Sequence, residues 1–463
     1  MGLLFFPRGG SAQVARYLAR SLPEAGDWEV TVACGSLGEP GDQSHAETFY
    51  RGVDVRPIDY SSAASEANPL AADPPFQPSY EDRAGAPDRV FARVGEADYE
   101  RLVAVWQQRL AAAGAGQADV LHLHHLTPIH EAAERSFGHV PRIGHLHGTE
   151  LLMLREIDEG PPPGWDHAGE WAERMRRWAR GCERLLVLSP DAVRRVPRLL
   201  GVDPARVVWA PNGFDPEGFD RRPLGGEQRL AHWRRWLVEE PQGWDESGDP
   251  GSVRYEEAQI EPFRAGGRVL LYVGRFTEVK RIPLLIRAHA RARERFERAA
   301  PLVLLGGFPG EWEGEHPLAV VRETGDPDVF LAGWRGHDDL PQGLNAADLL
   351  VLPSVREQFG AVIVEAMACG LPALAVDAHG PAEIVEHGET GWLVAPDDEE
   401  ALAGALVEAV NSDRERRRRG ERAYETARGR YSWPALARGL GQVYQEVAER
   451  RPPSAGRHTL TSP

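Results

Sequence analysis

Short apolar runs alternate with helical segments along almost the whole chain, and this alternation predicts parallel β-sheets covered by helices. In the first half, the apolar runs that suit buried strands are residues 3–6, 30–33, 53–57, 120–123, 142–146, 185–188 and 207–210. The segments with helical periodicity between them are 12–21, 99–113 and 171–182. Residues 1–210 are therefore predicted to form one doubly wound α/β domain of the Rossmann-like kind.

The second half repeats this arrangement. Its predicted strands are residues 269–273, 302–305, 329–331, 349–352 and 373–376. Its predicted helices are residues 282–299, 361–369, 399–410 and 414–430, and one more helix is predicted at 435–449. We therefore predict a second Rossmann-like, doubly wound parallel-sheet domain over residues 268–433, and not one large sheet.

Three segments interrupt this pattern. Residues 211–267 begin with the turn sequence Pro211-Asn212-Gly213 and continue through a polar, tryptophan-bearing stretch, so we interpret them as a linker and an acidic insertion, helical near 227–239. Residues 61–87 are rich in proline and predict a long loop of the kind that forms lids or stays disordered. The tail at 451–463 is predicted to be disordered.

Composition narrows the class of protein. The chain has 463 residues, of which 42% are hydrophobic and 27% charged, as in an ordinary globular protein of two or three domains. Its net charge of −17 argues against nucleic-acid binding, which needs a positive field. The chain has three cysteines without metal-type spacing, a start too short for a secretory signal and no long apolar run. We therefore expect a cytoplasmic protein.

Arginines cluster on two predicted helices, and these clusters leave peripheral membrane contact open. One cluster comprises Arg174, Arg176, Arg177 and Arg180, and the other comprises residues 416–419. Glutamates are interspersed among the arginines, so the favoured interpretation is an ordinary solvated helix face.

Two glutamates eight positions apart, Glu357 and Glu365, are the most informative feature of the chain. Glu357 follows the predicted strand at 349–352, and Glu365 lies within an otherwise apolar helix that begins near Gly360. A carboxylate is rarely buried without a partner, because losing its hydration is costly. The first N–H groups of the helix are available to hold an anion. Such donors beside two carboxylates suit a ligand with both phosphates and hydroxyls, and a sugar nucleotide is such a ligand.

Two cations, Arg275 and Lys280, follow the predicted strand at 269–273. Open α/β sheets bind ligands at the carboxyl ends of their strands, where these side chains would stand. Two cations there can neutralise a diphosphate and stabilise it as a leaving group. The alternative is a pair of unrelated surface cations, but the neighbouring glutamate motif favours the phosphate role.

Histidines crowd one region of the first half. They are His122, His124, His125, His130, His139, His145 and His147. Histidine is a favoured zinc ligand, but no Cys, Asp or Glu joins them at ligand spacing, so no metal site is expected. His147 directly follows a strand and is better interpreted as part of a substrate-facing loop, with a hydrogen-bonded core imidazole as the alternative.

Other nucleotide-binding motifs do not fit the chain. It contains neither G-x-G-x-x-G nor G-x-x-x-x-G-K-[ST], which weakens oxidoreductase and P-loop interpretations. The triplet Asp326-Pro327-Asp328 is similar to the metal-binding pair of some sugar transferases. Its proline and its place before a strand favour a turn instead.

Taken in order, these residues resemble the retaining glycosyltransferases of the GT-B fold, in the "glycosyl transferases group 1" branch, and are family 4-like. The resemblance covers nearly the whole chain. Its specific part is Val273-Gly274-Arg275 with Lys280, followed by Glu357 and Glu365. The supporting pieces are Gly9-Gly10, His124, His147-Gly148, Pro211-Asn212-Gly213 and Gly388-x-x-Gly391.

The resemblance implies two facing Rossmann-like domains with the active site in the cleft. Residues 268–433 would bind the nucleotide sugar. The helix after Tyr431-Ser432-Trp433 would cross back, so that 434–450 completes the acceptor domain at 1–210.

The same resemblance implies roles for individual residues. Arg275 and Lys280 would bind the diphosphate, next to Gly274. Glu365 would hydrogen-bond the ribose hydroxyls, and Glu357 would bind a hydroxyl of the donor sugar.

Further roles concern backbone groups and the first domain. The N–H groups of Phe359, Gly360 and Ala361 would meet sugar and phosphate. His147 would lie near the transferred sugar, and Gly9-Gly10 would close over phosphate or acceptor. Enzymes of this kind usually need no metal or other cofactor.

The expected reaction is therefore transfer of a hexose from a UDP- or GDP-linked donor to a hydroxyl acceptor that the sequence does not identify. Two alternatives stay open. One is another GT-B enzyme, such as a nucleotide-sugar epimerase or a phosphorylase-like protein. The other is a non-catalytic protein that binds nucleotide sugars.

Overall fold

The computed structural model describes residues 1–7, 9–80, 87–264, 266–357 and 359–449. They form two compact units: unit 1 comprises Met1–Pro211 and the chain from Trp433, and unit 2 comprises Asn212–Ser432. The predicted linker and insertion at 211–267 thus lies almost entirely within unit 2. The predicted tail at 451–463 lies outside the described residues.

Unit 1 is built on a seven-stranded parallel sheet in the order β3-β2-β1-β4-β5-β6-β7. The strands are β1 (Gly2–Leu3), β2 (Thr31–Ser36), β3 (Asp54–Asp59), β4 (Leu121–His124), β5 (Arg142–Leu146), β6 (Arg184–Val187) and β7 (Val207–Trp209). Its helices before unit 2 are α1 (Gly10–Ala25), α2 (Ala46–Phe49), α3 (Ser61–Ala64), α4 (Glu96–Ala112), α5 (Pro128–Phe137), α6 (Thr149–Glu159), α7 (Ala168–Arg180) and α8 (Pro190–Leu200).

Unit 2 is built on a six-stranded parallel sheet in the order β10-β9-β8-β11-β12-β13. The strands are β8 (Leu270–Gly274), β9 (Leu302–Gly306), β10 (Val329–Gly333), β11 (Leu349–Leu352), β12 (Ala373–Val376) and β13 (Gly391–Val394). Its α-helices are α9 (Gly226–Arg234), α10 (Ile282–Arg293), α11 (Pro317–Thr324), α12 (Leu340–Asn345), α13 (Ala361–Ala368), α14 (His379–Ile384), α15 (Glu399–Asn411) and α16 (Asp413–Arg430).

The last helix, α17 (Trp433–Glu449), returns to unit 1 and packs on α1. Its apolar face buries Trp433, Leu440 and Tyr444 against Leu18 and Leu22 of α1. Each sheet follows the doubly wound order, in which the chain reverses direction beside its first strand. The Rossmann-like fold of both halves is therefore as predicted.

The tryptophan-bearing segment before β8 covers the outer edge of unit 2's sheet. The Tyr255 hydroxyl accepts a hydrogen bond of 2.8 Å from the Leu331 N–H of the edge strand β10. Arg335, just after β10, donates to the Trp236 and Glu240 carbonyls at 3.2 and 2.6 Å. The segment therefore satisfies the Leu331 N–H, which the edge strand would otherwise leave unpaired, and Arg335 binds two carbonyls of the segment in turn.

Two details differ from the sequence-based expectations. The segment at 61–87 is not a loose loop over its described part: Phe76 and Gln77 are buried, and Gln77 Oε1 accepts a 2.9 Å hydrogen bond from the Phe6 N–H. Residues 81–86 of that segment lie outside the described residues. Strand β13 was not predicted, because its sequence Gly391-Trp392-Leu393-Val394 is short and begins with glycine.

The arginine clusters are largely engaged with carboxylates of the same chain. Arg176 lies 2.6 Å from Asp158, and Arg177 pairs with Glu131. Buried Arg416 pairs with Asp413. None of the described helices is long and apolar enough to cross a membrane.

Candidate active site

The two charged motifs of unit 2 lie at the reversal point of its sheet. Strand β8 pairs directly with β11, through Leu270 with Leu349 and Leu271 with Leu350. Arg275 follows β8, and the segment that carries Glu357 follows β11. Because both strands are parallel, their carboxyl ends open at one edge, which is where doubly wound sheets bind ligands.

Lys280 and Glu357 are in direct contact at this edge. The Lys280 Nζ forms an ion pair with Glu357 Oε2. The backbone holds the two segments together, since the Val355 N–H donates to the Val279 carbonyl at 2.9 Å. Lys280 is the only lysine in the 463 residues, although lysine and arginine together number 53. The other 52 of these residues are arginines. The one side-chain ammonium group of the chain therefore lies at the candidate site.

Arg275 lies beside this pair in sequence and is exposed. The buried Tyr272 hydroxyl donates a 2.9 Å hydrogen bond to the Arg275 carbonyl and so fixes the turn after β8. Within the described ranges, no carboxylate forms an ion pair with the Arg275 guanidinium. The side chain is therefore available to an anion from solution.

Helix α13 begins at the same place. Its N-cap residue Gly360 has φ 92° and ψ 55°, a left-handed conformation that a side chain would strain. Phe359 and Gly360 are buried, whereas Ala361 is exposed at the first turn. The Glu357 carbonyl accepts a 3.0 Å hydrogen bond from the Gly380 N–H, which fixes the chain entering the helix. The first N–H groups of α13 thus start at the edge that carries the cations.

Glu365 has the partner that a buried carboxylate requires. It lies in the middle of α13, where its side chain is only 10% exposed. The His337 Nε2, from the turn after β10, lies 2.9 Å from Glu365 Oε1. The sequence pattern did not identify His337, since a lone histidine in a polar turn has no distinguishing signal.

The remaining predicted residues lie in unit 1. Gly9 caps α1, and both Gly9 and Gly10 are exposed. His147 follows β5, and its backbone N–H donates to Glu150 Oε1 at 2.8 Å. Glu150 is fully buried in α6, and its other oxygen lies 3.3 Å from His125 Nδ1. The loop after β5 is therefore held by a buried carboxylate of α6, to which the sequence analysis assigned no role.

Four histidine rings form two hydrogen-bonded pairs on the face shared by β4 and β5. His124 Nδ1 lies 2.9 Å from His147 Nε2, and His122 Nε2 lies 3.1 Å from His145 Nδ1. The two pairs stack, with ring centroids 4.5 Å apart along each strand. Tyr444 of α17 closes the row through a hydrogen bond with His122 Nδ1.

Burial determines the charge of these rings. It lowers the pKa of His145 to about 3, and neighbouring His125 adds to the effect. Burial likewise lowers the pKa of His147 well below its usual value, with His125 and His145 contributing. Both imidazoles are therefore neutral near pH 7. A neutral His147 can donate or accept a hydrogen bond, but it cannot supply positive charge.

Three of these histidines are close enough to be considered for a metal. Their ligating nitrogens, from His122, His124 and His145, lie within 4.8 Å of one another. The hydrogen bonds to Tyr444, His145 and His147 already use nitrogens of these rings. The other metal candidate, Asp326-Pro327-Asp328, forms a turn: the Asp328 N–H donates to Asp326 Oδ1 at 3.1 Å.

Comparison with known proteins agrees with the fold and the motifs. The model of "Glycosyl transferases group 1" matches residues 253–426, and the model of "Glycosyltransferase Family 4" matches residues 8–217. D-inositol 3-phosphate glycosyltransferase 2 of Catenulispora acidiphila is 29% identical over 72% of this chain and 72% of its own length. Glycogen synthase of Mycobacterium tuberculosis is 26% identical over 74% of this chain and 73% of its own.

Solved structures give the same fold. Sucrose-phosphate synthase from Thermosynechococcus elongatus has a TM-score of 0.65 and 20% identity, covering 96% of this chain and 98% of its own. HepE of Anabaena, in complex with UDP-glucose, has a TM-score of 0.63 and 18% identity over the same shares. The second unit is thus similar to the glycosyl transferases group 1 family and the first to glycosyltransferase family 4, and the chain is a glycosyltransferase of the GT-B type.

Proposed function

We propose that the protein is a retaining hexosyltransferase, which moves a hexose from a UDP- or GDP-linked donor to a hydroxyl acceptor. The observation that carries this proposal is the contact between Lys280 and Glu357. It joins the cationic motif after β8 to the glutamate motif after β11. A diphosphate and a sugar hydroxyl are adjacent groups of one nucleotide sugar, so adjacent ligands for them suit such a donor.

Departure of the nucleoside diphosphate is the step that these charges would assist. Negative charge builds up on the phosphate oxygens as the bond to the sugar breaks. In the proposed complex, Arg275 and Lys280 neutralise that charge, and the first N–H groups of α13 add their partial positive charge. The exposed Arg275 guanidinium and the exposed first turn at Ala361 support this arrangement.

Glu357 would have two tasks. Without donor it balances the charge of Lys280, whose side chain is only 16% exposed. With donor bound, we propose that Lys280 turns toward the phosphate and that Glu357 accepts a hydrogen bond from a hydroxyl of the hexose. Glu365 would hold the ribose hydroxyls from within α13.

His147 is proposed to lie near the transferred sugar. Its hydrogen bond with His124 at 2.9 Å and its backbone bond to Glu150 hold the imidazole in one orientation. Since the ring is neutral, its proposed contribution is a hydrogen bond to a sugar hydroxyl. We propose that the cations of unit 2, and not His147, stabilise the leaving group.

Retention of configuration would follow from attack on the face that the diphosphate leaves, with a phosphate oxygen accepting the acceptor's proton. Glu357 contacts Lys280, and Glu365 contacts His337. These contacts support a role in holding the ligand, and not the acid and nucleophile roles that two carboxylates have in glycosidases. We propose that this transfer uses no metal.

The single lysine bears on the phosphorylase alternative. A phosphorylase that uses pyridoxal phosphate needs a lysine for the Schiff base, and Lys280 is the one lysine available. Its pairing with Glu357 at the phosphate edge favours the transferase.

A direct test is to incubate the protein with UDP-, GDP- and ADP-hexoses and a panel of hydroxyl acceptors, and to measure the released nucleotide. We expect release from one donor class above the rate without protein, and a product whose anomeric proton coupling matches that of the donor. Inverted configuration would contradict the retaining assignment. If no nucleotide sugar is consumed and none raises the melting temperature, the donor assignment itself is wrong.

A further inference from the structure

His337 contacts Glu365 from outside the two motifs that define the site. It lies in the short 3-10 helix His337–Asp339 after β10, whereas Glu365 lies on α13 after β11. The distance from His337 Nε2 to Glu365 Oε1 is 2.9 Å. This hydrogen bond connects the segments that follow two strands, β10 and β11, which are not neighbours in the sheet.

We propose that His337 is a positioning residue for Glu365, and that it controls the affinity of the protein for the ribose of the donor. This inference rests on the proposed function, in which Glu365 binds the ribose hydroxyls. His337 holds one carboxylate oxygen and so directs the other, Oε2, toward the ligand. Within the described ranges, no donor is hydrogen-bonded to Glu365 Oε2.

A comparison inside the same unit separates this contact from an ordinary core pair. His289 also bonds a carboxylate, Asp326, at 2.7 Å, but both side chains are fully buried. The second nitrogen of His289 is held by the Ala300 carbonyl at 2.7 Å. That pair is enclosed by protein on every side, so it can only be structural.

The pair formed by His337 is different, because it opens toward solvent at the ligand edge. The His337 side chain is 39% exposed, and its ring rests on Phe219 with centroids 5.1 Å apart. The side chain is thus partly open to solvent, and its contact with Glu365 is not enclosed as that of His289 with Asp326 is. Its hydrogen bond to a carboxylate is charge-assisted and restricts how Glu365 can rotate. The contact therefore sets the geometry of a ligand-facing group.

The test compares H337L and H337Q with the unchanged protein. Leucine removes the N–H donor, whereas the side-chain amide of glutamine can replace it. We would measure the Kd of UDP, GDP and ADP by calorimetry, and then repeat the tightest one as its 2′,3′-dideoxy analogue. H387L is the matched control, since His387 is another histidine of unit 2, and its Nδ1 accepts a hydrogen bond of 2.9 Å from the Leu393 N–H.

H337L is expected to weaken the ribonucleotide by about tenfold, the size of a charge-assisted hydrogen bond, and to weaken the dideoxy analogue by less than about twofold. H337Q should recover most of the affinity, and H387L should have no effect. In steady-state kinetics H337L should raise the KM of the donor and leave kcat within about twofold, because the bond is present before and during the reaction.

Three results would overturn the inference, and E365Q shows whether the proposed function fails with it. If E365Q weakens the ribonucleotide but H337L does not, His337 has no positioning role and the proposed function stands. If H337L weakens the ribonucleotide and the dideoxy analogue equally, its effect is a general structural one. If E365Q leaves ribonucleotide affinity unchanged, the ribose role of Glu365 is wrong, and the inference that depends on it is wrong as well.

Discussion

Lys280 and Glu357, 77 positions apart in the chain, form an ion pair at the reversal point of unit 2's sheet. Both side chains are largely buried, so an unpaired charge on either one would be costly. In the proposed complex, a donor phosphate would replace the carboxylate as the partner of Lys280. The pair would then keep the site charge-balanced before the donor arrives.

The first prediction concerns Lys280. K280A should lower the rate of transfer by about two orders of magnitude or more, because the leaving diphosphate loses a cation that stabilises it. K280R keeps the charge but replaces a compact ammonium by a larger planar group, so it should recover only part of the activity. The measurement is kcat/KM for the donor.

R291A is the control for that experiment. Arg291 is an exposed cation of unit 2 that bonds Glu399 and Glu400 at 3.0 Å each. Its loss should leave transfer unchanged. Near-normal turnover of K280A would remove Lys280 from the mechanism.

The second prediction concerns Gly360, which adopts φ 92° at the start of α13. G360A should cost roughly 1–2 kcal/mol of stability through backbone strain, and it should weaken nucleotide binding by shifting the first turn. G404A is matched to it, since Gly404 lies inside α15 and a Cβ added there would meet no atom within 4 Å. That variant should be neutral or more stable by about 0.5–1 kcal/mol. Equal melting temperatures for the two variants would contradict the strain argument.

The third prediction concerns Glu131, which links α5 to α7. Trp178 donates to it at 2.9 Å and Arg135 at 2.8 Å, and Arg177 pairs with it as well. Burial opposes its charged form, but these hydrogen bonds prevail and lower the pKa of Glu131 to about 2. The stabilisation is therefore present above about pH 4.5 and is lost as the pH falls toward 2.

E131Q should accordingly reduce the free energy of unfolding at pH 7 by roughly 2 kcal/mol. The control is E134Q on the same helix, because Glu134 is 46% exposed and lies 3.8 Å from Arg142. It should change stability by less than about 0.5 kcal/mol. Urea denaturation of the full chain measures the free energy of unfolding of both variants. Similar losses for E131Q and E134Q would contradict the stabilising role proposed for the hydrogen bonds of Glu131.

The fourth prediction concerns pH and the histidine row of unit 1. Burial lowers the pKa values of His122, His124, His145 and His147 below the value of about 6.5 expected in an unfolded chain. Below pH 6.5 the unfolded state binds more protons than the folded state, so the free energy of unfolding of unit 1 should fall as the pH drops from about 6.5 toward 4.

Hydrogen exchange of the amides in β4 and β5, corrected for the intrinsic effect of pH, would measure that fall. The free energy of unfolding should depend less steeply on pH in the double variant H122Q/H145Q, which removes two of the four imidazole rings. Protection that is constant between pH 7 and 5 would contradict the prediction.

The sequence predicted the sheets well because their strands are continuous apolar runs. Strands at 142–146, 349–352 and 373–376 match β5, β11 and β12 at both ends. The charged motifs after β8 and β11 were equally visible, since residues directly after buried parallel strands lie at the carboxyl edge of the sheet. Glu365 was recognised because a carboxylate in an apolar helix needs a partner.

The identity of that partner was beyond sequence reasoning. His337 reaches Glu365 across the ends of two strands, a relationship that depends on the order of strands in the sheet and not on spacing in the chain. The edge-covering role of the segment around Tyr255 was missed for the same reason, because its hydrogen bond to Leu331 joins positions 76 apart. Polar composition indicated a linker, whereas its tryptophans and Tyr255 pack onto the sheet.

The lone lysine has a practical consequence. Reagents that acylate or reductively alkylate primary side-chain amines have one possible target in this chain, at Lys280. A fluorophore or cross-linker attached to that side chain would report from a known position without any engineered residue. If a nucleotide slows this labelling, the nucleotide binds at or near Lys280. The experiment needs no knowledge of the acceptor.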